Sequence, residues 1–244
     1  MNLSGSKIRA VILAGGKGTR LAPYTTIFPK PLMPLGEVPI LEVVIRQLKN
    51  AGIEKITLAV GHLSELIQTF FQDGARFGVQ IEYSREEKPL GTAGPLAAIS
   101  GLDHTFLVMN GDVLTTLDFA DLLKYHHENK NAATIAMHAR QVNIDFGVIE
   151  TGAQGRLTNY IEKPTYAFQV SMGIYAFEPS VLRYIPPGKR FDFPELVLSL
   201  LAAGEPVRGY PYDGYWMDIG RPDDYTQAIE DFSNQPGRFL PGNA

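Results

Sequence analysis

The stretch Ala10-Val-Ile-Leu-Ala-Gly-Gly-Lys-Gly-Thr-Arg-Leu21, answered by Pro29-Lys-Pro-Leu-Met-Pro34, restricts this chain more than any other. Five apolar residues, Ala10 to Ala14, precede the first glycine. A run of that kind, with no polar alternation, predicts a central strand covered on both faces. Gly15, Gly16 and Gly18 then remove Cβ atoms from the turn, so its N–H groups can come close to a ligand. Lys17, Arg20 and Lys30 add positive charge. A strand that runs into a glycine turn with cations close by predicts a phosphate-binding device. It is not a P-loop, because the position five residues after Gly15 is Arg20 rather than glycine. It is not the dinucleotide fingerprint either, because Leu21 stands where the third glycine or alanine is needed.

What remains, Gly-Gly-x-Gly-Thr-Arg-Leu followed by Pro-Lys-Pro-Leu, resembles the signature of the sugar-1-phosphate nucleotidyltransferases, the nucleotide-sugar pyrophosphorylases. Within them the pattern is similar to the guanylyltransferases acting on mannose or heptose 1-phosphate. The resemblance implies that Leu13, Ala14, Gly15, Gly16, Gly18, Thr19 and Gly111 line the nucleotide, and that Arg20 and Lys30 work on its phosphates.

The remaining composition sets outer limits. A chain of 244 residues suits one α/β domain. No apolar run reaches transmembrane length, and Met1 to Lys7 lacks the layout of a secretion signal. Cysteine is absent, which removes disulfides, thiolate metal sites and cysteine nucleophiles and fits a cytoplasmic protein. The net charge of −4 speaks against a nucleic-acid partner. Residues 1–55 nevertheless carry eight Lys/Arg against three Asp/Glu, which suits a small anionic ligand held by the first half. Oligomeric state stays open, with a homo-oligomer allowed.

Apolar spacing predicts strands at Ile8–Leu13, Lys55–Val60, Val79–Tyr83 and Thr105–Met109, with helices at Ile40–Leu48, Ser64–Phe71, Thr92–Ser100 and Phe119–His127 between or after them. This alternation predicts a doubly wound, mostly parallel, Rossmann-like α/β sheet. The second half predicts strands at Ala133–His138, Phe146–Glu150, Leu157–Glu162 and Val170–Phe177, a more antiparallel sugar-binding half. A helix at Phe193–Ala203, a strand at Val207–Tyr212 and a helix at Asp223–Phe232 close the chain. We therefore expect a single domain over 1–235, a nucleotide half to about 130 and a sugar half beyond it. Residues 236–244, rich in Pro and Gly, predict a loose tail without a C-terminal β-helix domain.

Three further constellations carry chemistry. Asn110-Gly-Asp112 ends a predicted strand, where open α/β sheets bind ligands. A carboxylate there could hold Mg²⁺, and the resemblance pairs Asp112 with Asp218 of Tyr215-Trp-Met-Asp-Ile-Gly220 as the two metal ligands. Glu86-Glu-Lys-Pro-Leu-Gly-Thr-Ala-Gly94 resembles the base-recognition loop, with Gly91 admitting a flat base, Thr92 beside it and Glu86 opposite the base edge. A carboxylate at that edge suits guanine, whose N1–H and amine both donate. By the same resemblance Gly147, Glu162, Ser171, Gly173, Asn110 and Trp216 surround the sugar and Lys163 pairs with its phosphate. Ser171 stands where many relatives carry Asn, which bears on the sugar's identity. The five histidines, His62, His104, His126, His127 and His138, lack metal-ligand spacing and read as surface or edge residues.

The implied reaction joins an NTP, GTP favoured, to mannose 1-phosphate or a related hexose or heptose 1-phosphate, with pyrophosphate released. Uridylyl or thymidylyl transfer to another sugar phosphate is the alternative. A glycosyltransferase would need Asp-x-Asp, but Val113 and Leu114 follow Asp112. A non-catalytic nucleotide-sugar sensor would be expected to lose charged residues, yet Arg20, Lys30, Asp112, Lys163 and Asp218 are all present.

Overall fold

The computed structural model describes residues 7–240; the N-terminal layout and the last four residues of the expected tail lie outside them. Among the described residues the strands run as β1 Arg9–Ala14, β2 Pro34–Leu35, β3 Val38–Pro39, β4 Lys55–Val60, β5 Gln80–Arg85, β6 Phe106–Asn110, β7 Val113–Thr115, β8 Ala133–Asn143, β9 Val148–Thr151, β10 Leu157–Ile161, β11 Thr165–Phe177, β12 Val207–Pro211 and β13 Trp216–Asp218. Six helices accompany them: α1 Ile40–Asn50, α2 Ser64–Phe71, α3 Phe119–Glu128, α4 Phe193–Ala202, α5 Pro222–Asn234 and α6 Pro236–Phe239.

The main sheet has the order β12-β8-β11-β6-β1-β4-β5. β6, β1, β4 and β5 are parallel neighbours, β11 runs against both β6 and β8, and β12 is parallel to β8. The expected mostly parallel α/β sheet is therefore present. Its strands alternate between two buried faces. Ala10, Ile12 and Ala14 of β1 face Leu41, Ile45 and Leu48 of α1 and Leu122 of α3 in one core. Val11 faces the other core, with Leu96, Val181 and Leu196. Burial on both faces explains why β1 needs five apolar residues in a row. Capping follows the sequence as well. Asp118 accepts from Ala120 N at 2.8 Å and starts α3, and Asp192 with Glu195 forms a capping box on α4.

Four expectations require correction. The segment expected as a helix at Thr92–Ser100 is only a 3₁₀ turn over Gly94–Ala98, because the Ala93 and Gly94 N–H groups donate to Phe191 O instead of propagating a helix. β8 and β11 extend well past their apolar stretches, to Asn143 and back to Thr165, as a two-stranded ribbon outside the packed sheet. Residues 236–240 are not loose: α6 carries Phe239, fully buried, and Leu240 into a third core with Leu21, Met33, Ile219 and Phe232. Gln47 Nε2 ties that end down by donating to Phe239 O at 3.0 Å and Thr115 O at 2.8 Å. His126 is 1% exposed, not at the surface, because α3 turns the same face inward at Phe119, Leu122, Leu123 and His126.

Candidate active site

The site lies at the carboxyl edge of the parallel strands. β1, β4, β5 and β6 end at Ala14, Val60, Arg85 and Asn110, so Gly15, Gly61, Glu86 and Gly111 emerge side by side. Gly111 N donates to Leu13 O at 3.0 Å, and His62 N donates to Gly15 O at 3.3 Å. A Cβ on Gly111 would meet Leu13 O at 3.0 Å, a tight approach that favours glycine in this register. After Gly16, which is exposed with open space on its Cβ side, Gly18 takes φ +62° and starts the 3₁₀ turn Thr19–Leu21. Its carbonyl accepts from Thr25 Oγ1 at 2.7 Å, and a Cβ on it would meet Thr25 Cγ2 at 2.9 Å and Lys30 Cβ at 3.2 Å. The glycine turn therefore packs directly on the stem of Lys30. Thr19 and Arg20 of this turn are exposed, as is Lys17.

Pro29 and Pro31 flank Lys30 in a second 3₁₀ turn, which leaves that lysine only 7% exposed. Its ammonium donates to Asp112 Oδ2 in a close ion pair. The other oxygen, Oδ1, is buried without a hydrogen-bond partner. Asp218 is brought to Asp112 by a short antiparallel ladder: β13 pairs with β7, Asp218 stands opposite Val113, and Ile219 N donates to Asp112 O at 3.0 Å. Burial, and then the Asp112 charge, push the Asp218 carboxyl above the usual carboxylate range, while Lys30 and Arg20 pull it down. Gly220 makes room for the arginine, since a Cβ there would lie 3.2 Å from Arg20 Nη1 and Nη2 and from Asp218 Oδ2. Arg20, Lys30, Asp112 and Asp218 are thus brought into one electrostatic group. Two acids with one unclaimed buried oxygen fit a hard divalent cation such as Mg²⁺, which takes few protein ligands and keeps water and phosphate oxygens for the rest. Gly220, Thr25 and Asp192 lie outside the site residues expected from sequence, although Gly220 ends the Trp-x-Asp-Ile-Gly run.

In the loop expected to meet the base, Glu86 Oε1 lies 3.2 Å from where a Gly15 Cβ would be, and Oε2 accepts from Leu90 N at 2.8 Å. Burial raises its carboxyl above the ordinary value, against the pull of that N–H. Two neighbours, Thr92 and Gly91, are tied to the start of α4. The Thr92 hydroxyl accepts from Phe193 N at 2.9 Å and points toward Asp192 Oδ1 at 3.3 Å, so it is spent on the start of α4. Gly91, at φ +82°, is required by that same segment: a Cβ would meet Asp192 Oδ1 at 2.6 Å and Phe191 O at 2.7 Å.

Among the residues expected around the sugar, Gly173 takes φ +71° with the Asn110 amide pressed against its open face, and its N–H donates to Ser171 Oγ at 3.3 Å. Ser171 Oγ donates in turn to Tyr175 Oη at 3.1 Å. Trp216 is held by its Nε1 donating to Met172 O at 3.0 Å. Gly147 and Glu162 form a separate group around Tyr160, whose hydroxyl donates to Glu162 Oε2 at 3.1 Å and whose ring fills the space over Gly147. Lys163 is exposed at φ +43° between β10 and β11.

A glycine turn, two cations and two acids thus gather at the carboxyl edge of an α/β sheet. Residues 9–235 match the nucleotidyl transferase family model, and the chain belongs to that family. It is similar to a UTP–glucose-1-phosphate uridylyltransferase of Synechocystis, 38% identical over 91% of this chain and 62% of that protein. It is also similar to a mannose-1-phosphate guanylyltransferase of Mycobacterium tuberculosis, 36% identical over 92% of this chain and 64% of that one. The chain therefore spans a little under two thirds of these relatives. HddC from Yersinia pseudotuberculosis has a similar structure, with a TM-score of 0.72 and 25% identity over 92% of this chain and 99% of that one. Among the described residues, no helix is long and apolar enough to cross a membrane.

Proposed function

We propose that this chain is a sugar-1-phosphate nucleotidyltransferase: it transfers a nucleotidyl group from an NTP to a sugar 1-phosphate and releases pyrophosphate. The observation that carries this reading is the meeting of Arg20, Lys30, Asp112 and Asp218 beside the glycine turn. The nucleophile needs no general base. A phosphate monoester has its second pKa near ~6 and is mostly a dianion at neutral pH. The barrier is repulsion between two anions, about 4 kcal/mol for each pair of unit charges ~4 Å apart at an effective dielectric near ~20. Catalysis is then charge neutralisation with in-line positioning. Arg20, exposed beside the glycine turn, grips the departing pyrophosphate with its planar fork. Lys30 leaves Asp112 for the phosphate side, and Lys163 holds the sugar phosphate. Asp112 and Asp218 would hold Mg²⁺, which when bound supplies positive charge to the α-phosphate.

For the base, GTP is the favoured substrate, because Glu86 beside Gly15 offers acceptors to the two donors on guanine's edge. Mannose 1-phosphate or a related hexose or heptose 1-phosphate is the favoured acceptor, in line with the guanylyltransferase among the relatives. Uridylyl transfer is the second reading, favoured by the 38% identical Synechocystis relative. We place the reaction in the cytoplasm, in keeping with the absence of cysteine. Pyrophosphate release across the four NTPs against several sugar 1-phosphates, with Mg²⁺, tests all of this. Release with GTP and mannose 1-phosphate is expected. Release only with UTP or dTTP would move the base assignment, and none with any pair would remove the enzyme reading.

A further inference from the structure

Residues 90–94 are held from a distant part of the chain. Phe191 N donates to Leu90 O at 2.9 Å, while Ala93 N and Gly94 N donate to Phe191 O at 3.0 and 2.9 Å. Asp192 Oδ1 accepts from Thr92 N at 2.8 Å and lies 3.3 Å from Thr92 Oγ1, which in turn accepts from Phe193 N at 2.9 Å. The same carboxylate caps α4, reciprocated by Glu195 Oε2, which accepts from Asp192 N at 2.7 Å. The clamp is sterically closed, since the backbone of Gly91 passes too near Asp192 and Phe191 for any side chain. At the other end of the loop, Leu90 N donates to Glu86, whose second oxygen sits over Gly15.

We infer that Asp192 is a positioning residue for nucleotide selection: by fixing Thr92 and the turn at Gly91 it sets where Leu90 N–H holds Glu86 against the glycine turn. Asp192 touches no reacting group. It acts through the loop, so its effect falls on the base-bearing substrate and spares the sugar phosphate. This rests on the reading of Glu86 as the base contact. The α4 capping box alone would account for Asp192 and Glu195, but not for the geometry at Thr92, where a backbone and a side-chain group both converge on one oxygen.

The test is calorimetric binding of GTP, UTP and mannose 1-phosphate, each with Mg²⁺, to the full chain and four variants. Asp192→Ala is expected to weaken the preferred NTP about tenfold, the scale of one charge-assisted hydrogen bond, and to narrow the gap between GTP and UTP, with mannose 1-phosphate unchanged. Thr92→Val leaves the capping box intact and is expected to weaken the same NTP about threefold or more. Asp192→Asn keeps an acceptor at Oδ1 and should recover most of the loss. Glu86→Ala separates the two claims. If it leaves both NTPs unaffected, or the unaltered chain binds neither, the base-site reading falls and the clamp with it. If Glu86→Ala weakens NTP binding while Thr92→Val and Asp192→Ala do not, the clamp alone is overturned. Equal weakening of NTP and mannose 1-phosphate overturns it too, because that is the mark of general loosening. Should Asp192→Ala fail to fold, Thr92→Val decides.

Discussion

At the carboxyl edge of β1 and β6 the Lys30–Asp112 pair is packed into place; along the ribbon from Ala139 to Val170 most side chains stand in solvent. Lys30 is held by two prolines, the glycine turn and Asp112. Phe146, Ile149, Leu157, Tyr160 and Phe168 are all exposed despite being apolar. Strands β9 and β10 form only a two-stranded pair, and such a hairpin is marginal by itself. The residues proposed for phosphate thus sit in the packed sheet, while Gly147, Glu162 and Lys163, proposed for the sugar phosphate, lie on a segment whose sequence can change at little cost in stability.

The sharpest way to break this contrast is in the core below the acids. Phe239→Ala should cost about 3–5 kcal/mol of stability, read by denaturant midpoint, because it empties a fully buried aromatic site. A cost near zero would mean the C-terminal seat is dispensable after all. Arg20 separates function from fold: Arg20→Ala should lower turnover by about 10²–10³ with the melting temperature unchanged, since the side chain is exposed yet aimed at the acids. Turnover near that of the unaltered chain would remove Arg20 from the reaction.

A smaller effect concerns pH. His126 is buried between Thr134 Oγ1 at 2.8 Å and Glu178 Oε1 at 3.1 Å, and burial lowers its pKa despite the pull of Glu178. A depressed folded pKa favours the neutral ring. Its contribution is therefore present above the unfolded value of about 6.5 and lost as pH falls through the lower folded value. The stability gap between the unaltered chain and His126→Gln should shrink on acidification from neutrality; a gap that widens would contradict the shift. The smallest effect belongs to the ribbon, where Leu157→Ser should change stability by no more than about 0.5 kcal/mol. A loss of several kcal/mol there would show that the ribbon is part of the packed body.

Legibility in sequence followed the same division. Where packing imposes a period, as in β1, α1 and α2, the strands and helices could be placed within a residue or two. The outer parts of β8 and β11 carry no such period, because no core faces them, so their length was invisible. His126 continues the helical stripe Phe119, Leu122, Leu123, which the missing ligand spacing does not bear on, and Phe239-Leu240 stands out as apolar in a Pro/Gly setting. In the site, the glycine turn and Asp112 were readable because strand ends announce themselves. The partners of Gly91 and Thr92 were not, since Asp192 lies 100 residues from Thr92. The only local signal was Asp192-Phe-Pro-Glu195 ahead of an apolar run, which advertises a helix start and says nothing about a loop elsewhere.

The Lys30–Asp112 pair has a practical reach beyond the reaction. An ammonium group already pairs with one oxygen of Asp112, so the pocket is expected to keep its shape without a dissolved ion. Washing with a chelator should silence the molecule without softening it, leaving a form that can be stored, melted and titrated back to work.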